Sequence, residues 1–367
     1  MAASIRNYFT CANSSKGFVN LFDSNIRDLD RLYILKGGPG TGKSSLMKHI
    51  AQEWNERGLE VELIHCSSDR NSLDGIIIPR MRLGIVDGTA PHIIEPKAPG
   101  AVENYINLGE AWDSRMLANN KDAIMNINQE ISECYQNTYR AFADALKIHD
   151  EWEKIYIENM DFIKADKITN ETIKTIIGSK TADKSSTIKH RFFGGATHDG
   201  PVDYIYNLTE DITHRYFIKG RPGSGKSTML KKIASAAEKR GFDMEIYHCG
   251  FDPDSLDMLV IRELNSAIFD STAPHEYFPE RENDVIIDMY SGAISNNTDE
   301  IYKDEISDIA VRYKEKMSEG ITYLKKAKIL HDQLEKYYIE AMNFSIVDKI
   351  VKKTMKEIEE FYYTNIL

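Results

Sequence analysis

Two short runs carry residues arranged for phosphate chemistry. The first is Gly37-Gly38-Pro39-Gly40-Thr41-Gly42-Lys43-Ser44, followed by Ser45. The second is Gly220-Arg221-Pro222-Gly223-Ser224-Gly225-Lys226-Ser227, followed by Thr228. Both fit G-x-x-x-x-G-K-[ST], the phosphate-binding P-loop pattern. Glycines are needed because backbone N–H groups must turn inward toward phosphate oxygens through conformations that side chains block. The helix that follows presents its positive dipole end to the anion. Lys43 and Lys226 are then expected to reach the terminal phosphates of ATP, and Ser44 and Ser227 to hold Mg²⁺.

Other candidate residues gather around these runs. Asp87 and Asp270 end short apolar stretches, the position from which a carboxylate reaches the Mg²⁺ shell. Neither is followed by glutamate; Gly88 and Ser271 stand there. Many ATPases of the additional-strand class place a water-activating glutamate at that point. Its lack points to the kinase–GTPase side of the P-loop folds, or to a slow ATPase. His65, Cys66 and Asp69 follow a second apolar stretch and His92 a third; His248, Cys249, Asp252 and His275 repeat them. Ligands of open α/β sheets bind outside the carboxyl ends of the strands, so these residues are expected beside the terminal phosphate. Three roles stay open. They are packing, an acceptor or water-activating site with Asp69, Asp252 or a histidine as base, and a Zn²⁺ site from His65, Cys66 and His92. Arg80, Arg82 and Arg262 are further cations near the third strand. Arg221 stands where the first copy has Gly38 and marks the best candidate for a difference between copies.

These residues recur because the chain is a tandem repeat. Residues 17–92 align with 200–275 without a gap, and Ser72-Leu73-Asp74 matches Ser255-Leu256-Asp257. Further on, the segment starting at His149-Asp150 matches the one starting at His331-Asp332. A period this long means duplicated domains. The polar run 178–186 is the expected boundary, giving domains 1–180 and 181–367. In each copy a strand enters the Gly-rich loop, a helix follows, and Gly58 or Gly241 closes it. Further strands are expected at 61–65, 83–87, 244–248 and 267–270. Strands alternating with helices imply a parallel sheet with right-handed crossovers. The fold class is therefore α/β, with two tandem P-loop NTPase domains. Residues from about 102 to 177 and 285 to 363 are rich in Lys and Glu. Apolar residues recur there at three and four, as at Ile124, Ile127, Ile131 and Tyr135. They read as long helical hairpins on or beside each sheet, either completing its core or forming a lid or partner-binding module.

The net charge of -11 over 367 residues argues against nucleic acid as a partner, since phosphate neutralisation needs a basic face. No apolar run approaches the ~18 residues of a membrane span. Four cysteines without paired spacing give no disulfide framework, so a cytoplasmic protein is expected. Oligomeric state is open.

The first Gly-rich run, together with His65-Cys66-Ser67-Ser68-Asp69 and Asp87-Gly88-Thr89-Ala90-Pro91-His92, resembles a family of tandem P-loop proteins. These occur mainly in spore-forming and related Gram-positive bacteria and are labelled as ATPases or nucleotide-kinase-like proteins. The resemblance spans the chain, its length and duplication included. It implies two nucleotide-binding domains. The leading expectation is a Mg²⁺-dependent ATP-binding protein, a slow ATPase that couples nucleotide state to its helical modules or to a protein partner. A kinase acting on a small molecule or nucleotide is the first alternative. A non-hydrolysing nucleotide sensor or scaffold is the second.

Overall fold

The computed structural model describes residues 3–365. The first half opens with β1 (Ile5–Phe9), the hairpin β2 (Cys11–Ser14) and β3 (Gly17–Asn20), and the short helix α1 (Phe22–Ile26). β4 (Arg31–Lys36) enters the Gly-rich loop and α2 (Lys43–Glu56) leaves it. β5 (Val61–His65), β6 (Leu73–Ile78), β7 (Leu83–Asp87) and β8 (Glu103–Asn107) follow, then α3 (Ser114–Asn119), α4 (Lys121–Glu158) and α5 (Phe162–Ile176). The second half repeats this order. It runs through β9 (Ile188–Arg191), β10 (Gly194–Thr197), β11 (Gly200–Asp203), α6 (Ile205–Leu208), β12 (His214–Lys219) and α7 (Lys226–Glu238). β13 (Met244–His248), β14 (Leu256–Ile261), β15 (Ser266–Asp270) and β16 (Asp284–Asp288) complete its strands. α8 (Met289–Ala293), α9 (Thr298–Ile301), α10 (Lys303–Ala341) and α11 (Phe344–Asn365) end the chain.

Each half builds a six-stranded, mostly parallel sheet flanked by helices, in the orders β1-β5-β6-β7-β4-β8 and β9-β13-β14-β15-β12-β16. The departures from the all-parallel expectation are β6 and β14, which run antiparallel to both neighbours. Only the turn Pro79–Met81 and Arg82, at φ 47°, separate β6 from β7. A parallel return needs a crossover of about a dozen residues, so this short link allows only an antiparallel one. β8 and β16 also fall where helix was expected; they pair with β4 and β12 as edge strands. β4 pairs directly with β7, and β12 with β15. Alternate residues of β4 point to opposite faces. Tyr33 and Leu35 enter a core with α2, while Leu32 and Ile34 enter a core shared with Phe217, Met258 and Phe269 of the other half.

The long helices cross between the halves. α4 has 38 residues and α10 has 39, so each spans roughly 57 Å at 1.5 Å per residue. That exceeds the width of one sheet, and the far end of each helix is carried to the other half. Val347 and Ile358 of α11 join the core of the first sheet, with the Tyr362 ring tilted against Trp54 at 5.0 Å between centroids. Ala165 and Ile176 of α5 join the core of the second. The helical modules, read from the sequence as belonging each to its own half, thus complete each other's sheets. Paired backbone bonds pin both crossovers. Asn343 N–H donates to Ala111 O (2.7 Å) and Asp113 N–H to Ala341 O (2.8 Å). Asp161 N–H donates to Ala293 O (2.8 Å) and Ser295 N–H to Asn159 O (2.9 Å). Between the crossovers α4 and α10 pack antiparallel. Thr138 Oγ1 donates to Gly320 O, and a side chain at Gly320 would collide with the Phe142 ring, 2.6 Å from its Cδ1. Among the described residues no helix is long and apolar enough to cross a membrane, and the four cysteines are free thiols.

Equivalent residues of the two halves meet at the centre, as an isologous contact requires. Phe9 N–H donates to Phe192 O (2.9 Å) and Phe192 N–H to Phe9 O (2.8 Å). Beside this pair the fully buried Arg191 lies 2.6 Å from Glu62 and 3.5 Å from Glu245, under the ring of Tyr8. Burial alone raises both carboxyls, yet Arg191 leaves Glu62 lowered and, with Arg262, holds Glu245 at about 2. Breaking a buried pair from one side costs about 3–5 kcal/mol. Arg191→Ala is therefore expected to lower the urea unfolding midpoint by that equivalent. The same substitution in a Glu62→Gln, Glu245→Gln background is expected to cost much less, because no uncompensated charge is left.

Candidate functional site

Both Gly-rich loops take the same shape. Gly40 and Gly42 lie at φ 67° and 93°, Gly223 and Gly225 at 72° and 85°, a region that L side chains avoid. α2 and α7 begin immediately after, so their first-turn N–H groups open onto the loop. Thr41 Oγ1 donates to Gly38 O (2.8 Å) and Ser224 Oγ to Arg221 O (2.7 Å). Lys43 folds back over its loop, donating to Gly37 O (2.9 Å) and Gly38 O (2.8 Å), and lies 3.6 Å from Asp87. Lys226 donates to Arg221 O (2.9 Å) and lies 3.6 Å from Asp270. Each aspartate is oriented by a turn, accepting from Thr89 or Thr272 through both the backbone N–H and the hydroxyl. Ser44 and Ser227 accept the N–H of Leu73 and Leu256, which ties the antiparallel strand to the start of the helix. Ser45 and Thr228 lie in the first helical turn, and Pro39 and Pro222 are half-buried within the loops.

A second carboxyl stands behind each strand-end aspartate, buried at Asp74 and half-buried at Asp257. Asp74 is the second residue of the antiparallel β6, next to Asp87, and Asp257 the second of β14, next to Asp270. Burial pushes Asp74 up to about 6, with His92 opposing and Asp87 adding to the rise. Burial and Asp270 push Asp257 up to about 7. Burial raises the Cys66 and Cys249 thiols, and the charges of Asp74 and Asp257 beside them add to the rise. Sequence reasoning passed over Asp74 and Asp257 as site residues, although the repeated Ser-Leu-Asp triplet was a visible signal.

The His, Cys and Asp groups do not converge as a metal set. His65 spends both ring nitrogens on Arg70 O and Asn7 Oδ1, each at 2.8 Å, and stacks on Tyr204. His248 does the same with Pro253 O (2.7 Å) and His190 (2.9 Å). A Zn²⁺ site from His65, Cys66 and His92 is therefore not formed. His92 sits 3.3 Å from Asp74, whereas His275 turns to Asp203 at 2.7 Å. Asp69 and Asp252 cap the turns after their strands, and each pairs with a lysine of the opposite half, Lys328 and Lys16, at 3.5 Å. Arg82 pairs with Asp30, Arg262 with Glu245, and Arg221 with Asp299.

The long helix of the opposite half lies against each loop. A Cβ at Gly38 would sit 2.6 Å from Tyr338 Cδ1, and one at Gly40 3.2 Å from the Glu335 carbonyl, both on α10. A Cβ at Gly223 would sit 2.9 Å from Glu153 Cα, on α4. These faces carry His331, Asp332 and Glu335 over the first loop, and His149, Asp150 and Glu153 over the second. In each trio the ligand atoms lie within 4.8 Å of one another. Burial lowers both histidines; the neighbouring glutamate opposes this, and Lys43 or Lys226 of the facing loop adds to it. The repeated His-Asp-x-x-Glu was legible in the sequence, but its position over the opposite loop was not. Comparison with protein-family models, curated proteins and solved structures finds no match.

These two raised carboxyls set a pH dependence. The folded chain holds protons on Asp74 and Asp257 that the unfolded chain, at an ordinary 3.8, has released. Stability therefore falls as pH rises from about 4 to about 7 and is level above that. The loss is on the order of 3 kcal/mol per carboxyl. Asp74→Asn and Asp257→Asn are expected to flatten this slope. Urea midpoints measured across that pH range check it: the variants gain on wild type at pH 8 and least at pH 4.

Proposed function

We propose that this chain is a Mg²⁺-dependent ATP-binding protein with two sites, a slow ATPase whose nucleotide state acts on the crossing helices α4 and α10. The observation that carries the reading is the doubled constellation. Each glycine-rich loop opens into a helix N-terminus, with its lysine 3.6 Å from a strand-end aspartate. Lys43 and Lys226 swing from the loop carbonyls to phosphate oxygens. Ser44 with Asp87, and Ser227 with Asp270, are the donor sets for Mg²⁺, which when bound neutralises phosphate charge. The helices lying on the loops give nucleotide a direct mechanical contact with the opposite half. A tandem P-loop family of ATPase or kinase-like proteins is the class this reading assigns. Phosphoryl transfer to a small acceptor is the second reading. Its support is the direct pairing of β4 with β7 and of β12 with β15, together with Gly88 and Ser271 where a motor ATPase has glutamate.

Labelled ATP decides between them. Wild type is expected to bind two equivalents and release phosphate slowly. Lys43→Ala and Lys226→Ala are each expected to remove one equivalent. A lost charged hydrogen bond of about 1.5–3 kcal/mol weakens that site by on the order of 10–100-fold. The double variant is expected to bind none. Label moving to an acceptor selects the kinase, and tight binding without turnover selects a sensor. Absence of ATP or GTP binding by wild type overturns both readings.

A further inference from the structure

Among the described residues, the aspartates and histidines that follow the strands of each half are already committed. Asp69 and Asp252 are held by turn N–H or hydroxyl groups and by Lys328 or Lys16. Asp74 is buried behind Asp87, and His92 is buried against it. His275 is committed to Asp203. The position after Asp87 and Asp270 carries Gly88 and Ser271, neither of which accepts a proton.

The opposite half fills that gap at both loops. Glu335 lies on the turn of α10 that presses on Gly40, and Glu153 on the turn of α4 that presses on Gly223. The two glutamates occupy equivalent positions in the repeat, each four residues after a histidine. That histidine lies on the same helix face, its Nδ1 3.7 Å from Glu335 Oε1 or 3.8 Å from Glu153 Oε1. The charges of Lys43 and Lys226 add to the lowering of His331 and His149, after burial. Each glutamate side chain is about one-third exposed, at 34% and 38%, which leaves room for water. Neither pairs with lysine or arginine among the described residues.

We propose that Glu335 and Glu153 are catalytic residues acting across the halves: Glu335 activates water at the loop of Lys43, and Glu153 at the loop of Lys226. The proposal rests on the reading of the loops as ATP sites. In the step, the water oxygen forms a bond to the γ-phosphorus and the bond from that phosphorus to the β,γ-bridging oxygen breaks. The bridging oxygen leaves with the electron pair on ADP. The proton of the attacking water passes to the glutamate carboxylate and then to solvent, so ATP and water give ADP, phosphate and a proton. The arrangement makes each turnover depend on contact between the halves, because neither site is complete without the other's helix.

Glu335→Gln and Glu153→Gln keep shape and remove the base. Nucleotide equilibrium binding and phosphate release are measured on the full chain for each variant, for the pair, and in combination with Lys43→Ala. The Gln pair is expected to bind two ATP with wild-type affinity and to release phosphate about 10²-fold more slowly or worse. Lys43→Ala with Glu335→Gln damages one site twice and is expected to keep the second site's turnover. Lys43→Ala with Glu153→Gln damages both sites and is expected to lose turnover. The opposite pattern means that each glutamate serves its own half, and overturns the proposal. Wild-type turnover in the Gln pair overturns it too, as does loss of ATP affinity there, which would make the carboxylates binding groups. Wild type that binds ATP without hydrolysing it overturns the inference and leaves the nucleotide sites standing. Wild type that binds no nucleotide overturns the reading beneath it.

Discussion

One guanidinium sets the relation between the halves. Arg191 is fully buried where the two copies meet, and its charge is tolerable there only because Glu62 comes from one half and Glu245 from the other. Parting the halves takes Arg191 from Glu62, the shorter of its two carboxylate contacts. The reciprocal backbone bonds of Phe9 and Phe192 lie beside it and fix register as well as proximity. With that centre fixed, the direction and length of α4 and α10 carry their far ends onto the opposite loops. The crossing helices are therefore a consequence of the central contact as much as of their own sequence.

The exchange binds stability to the site. α11 closes the core behind the first loop and α5 the core behind the second. A helix that touches a loop at one turn is continuous with a helix that fills a core a few residues later. Gly38, Gly40 and Gly223 carry no side chain where Tyr338, Ile339 and Glu153 approach. At these positions glycine serves two ends, the turn of the loop and the close seat of the neighbouring helix. Such a seat is suited to transmitting a change at the loop, because a packed contact shifts between discrete arrangements rather than stretching.

The copies are not interchangeable. Where the first has Gly38 beneath Tyr338, the second has Arg221 held by Asp299, which also accepts from Tyr156. His92 turns inward to Asp74, while His275 turns to Asp203 on the neighbouring hairpin. Lys328 has a leucine, Leu146, at its equivalent position, so the two turn aspartates draw their lysines from different elements. The charge environment of the two loops thus differs even though their backbones agree.

The repeated loops, the strands entering them and the helices leaving them were legible in the sequence. Glycine spacing, apolar runs and closing glycines are local signals, and duplication doubled each of them. The α/β class followed from the same alternation. The antiparallel β6 and the edge strand β8 were not legible as such. Strand direction depends on the length of a connecting turn, and Glu103–Asn107 gains its partner only from β4. Periodicity announced the long helices of each half but not their destination, because a helix shows which face is apolar and not whose core will bury it. Asp74, Glu153 and Glu335 were present as repeated letters. Their burial beside Asp87, or their place over the opposite loop, exists only once the halves are joined, since it arises from contacts between residues far apart in the chain.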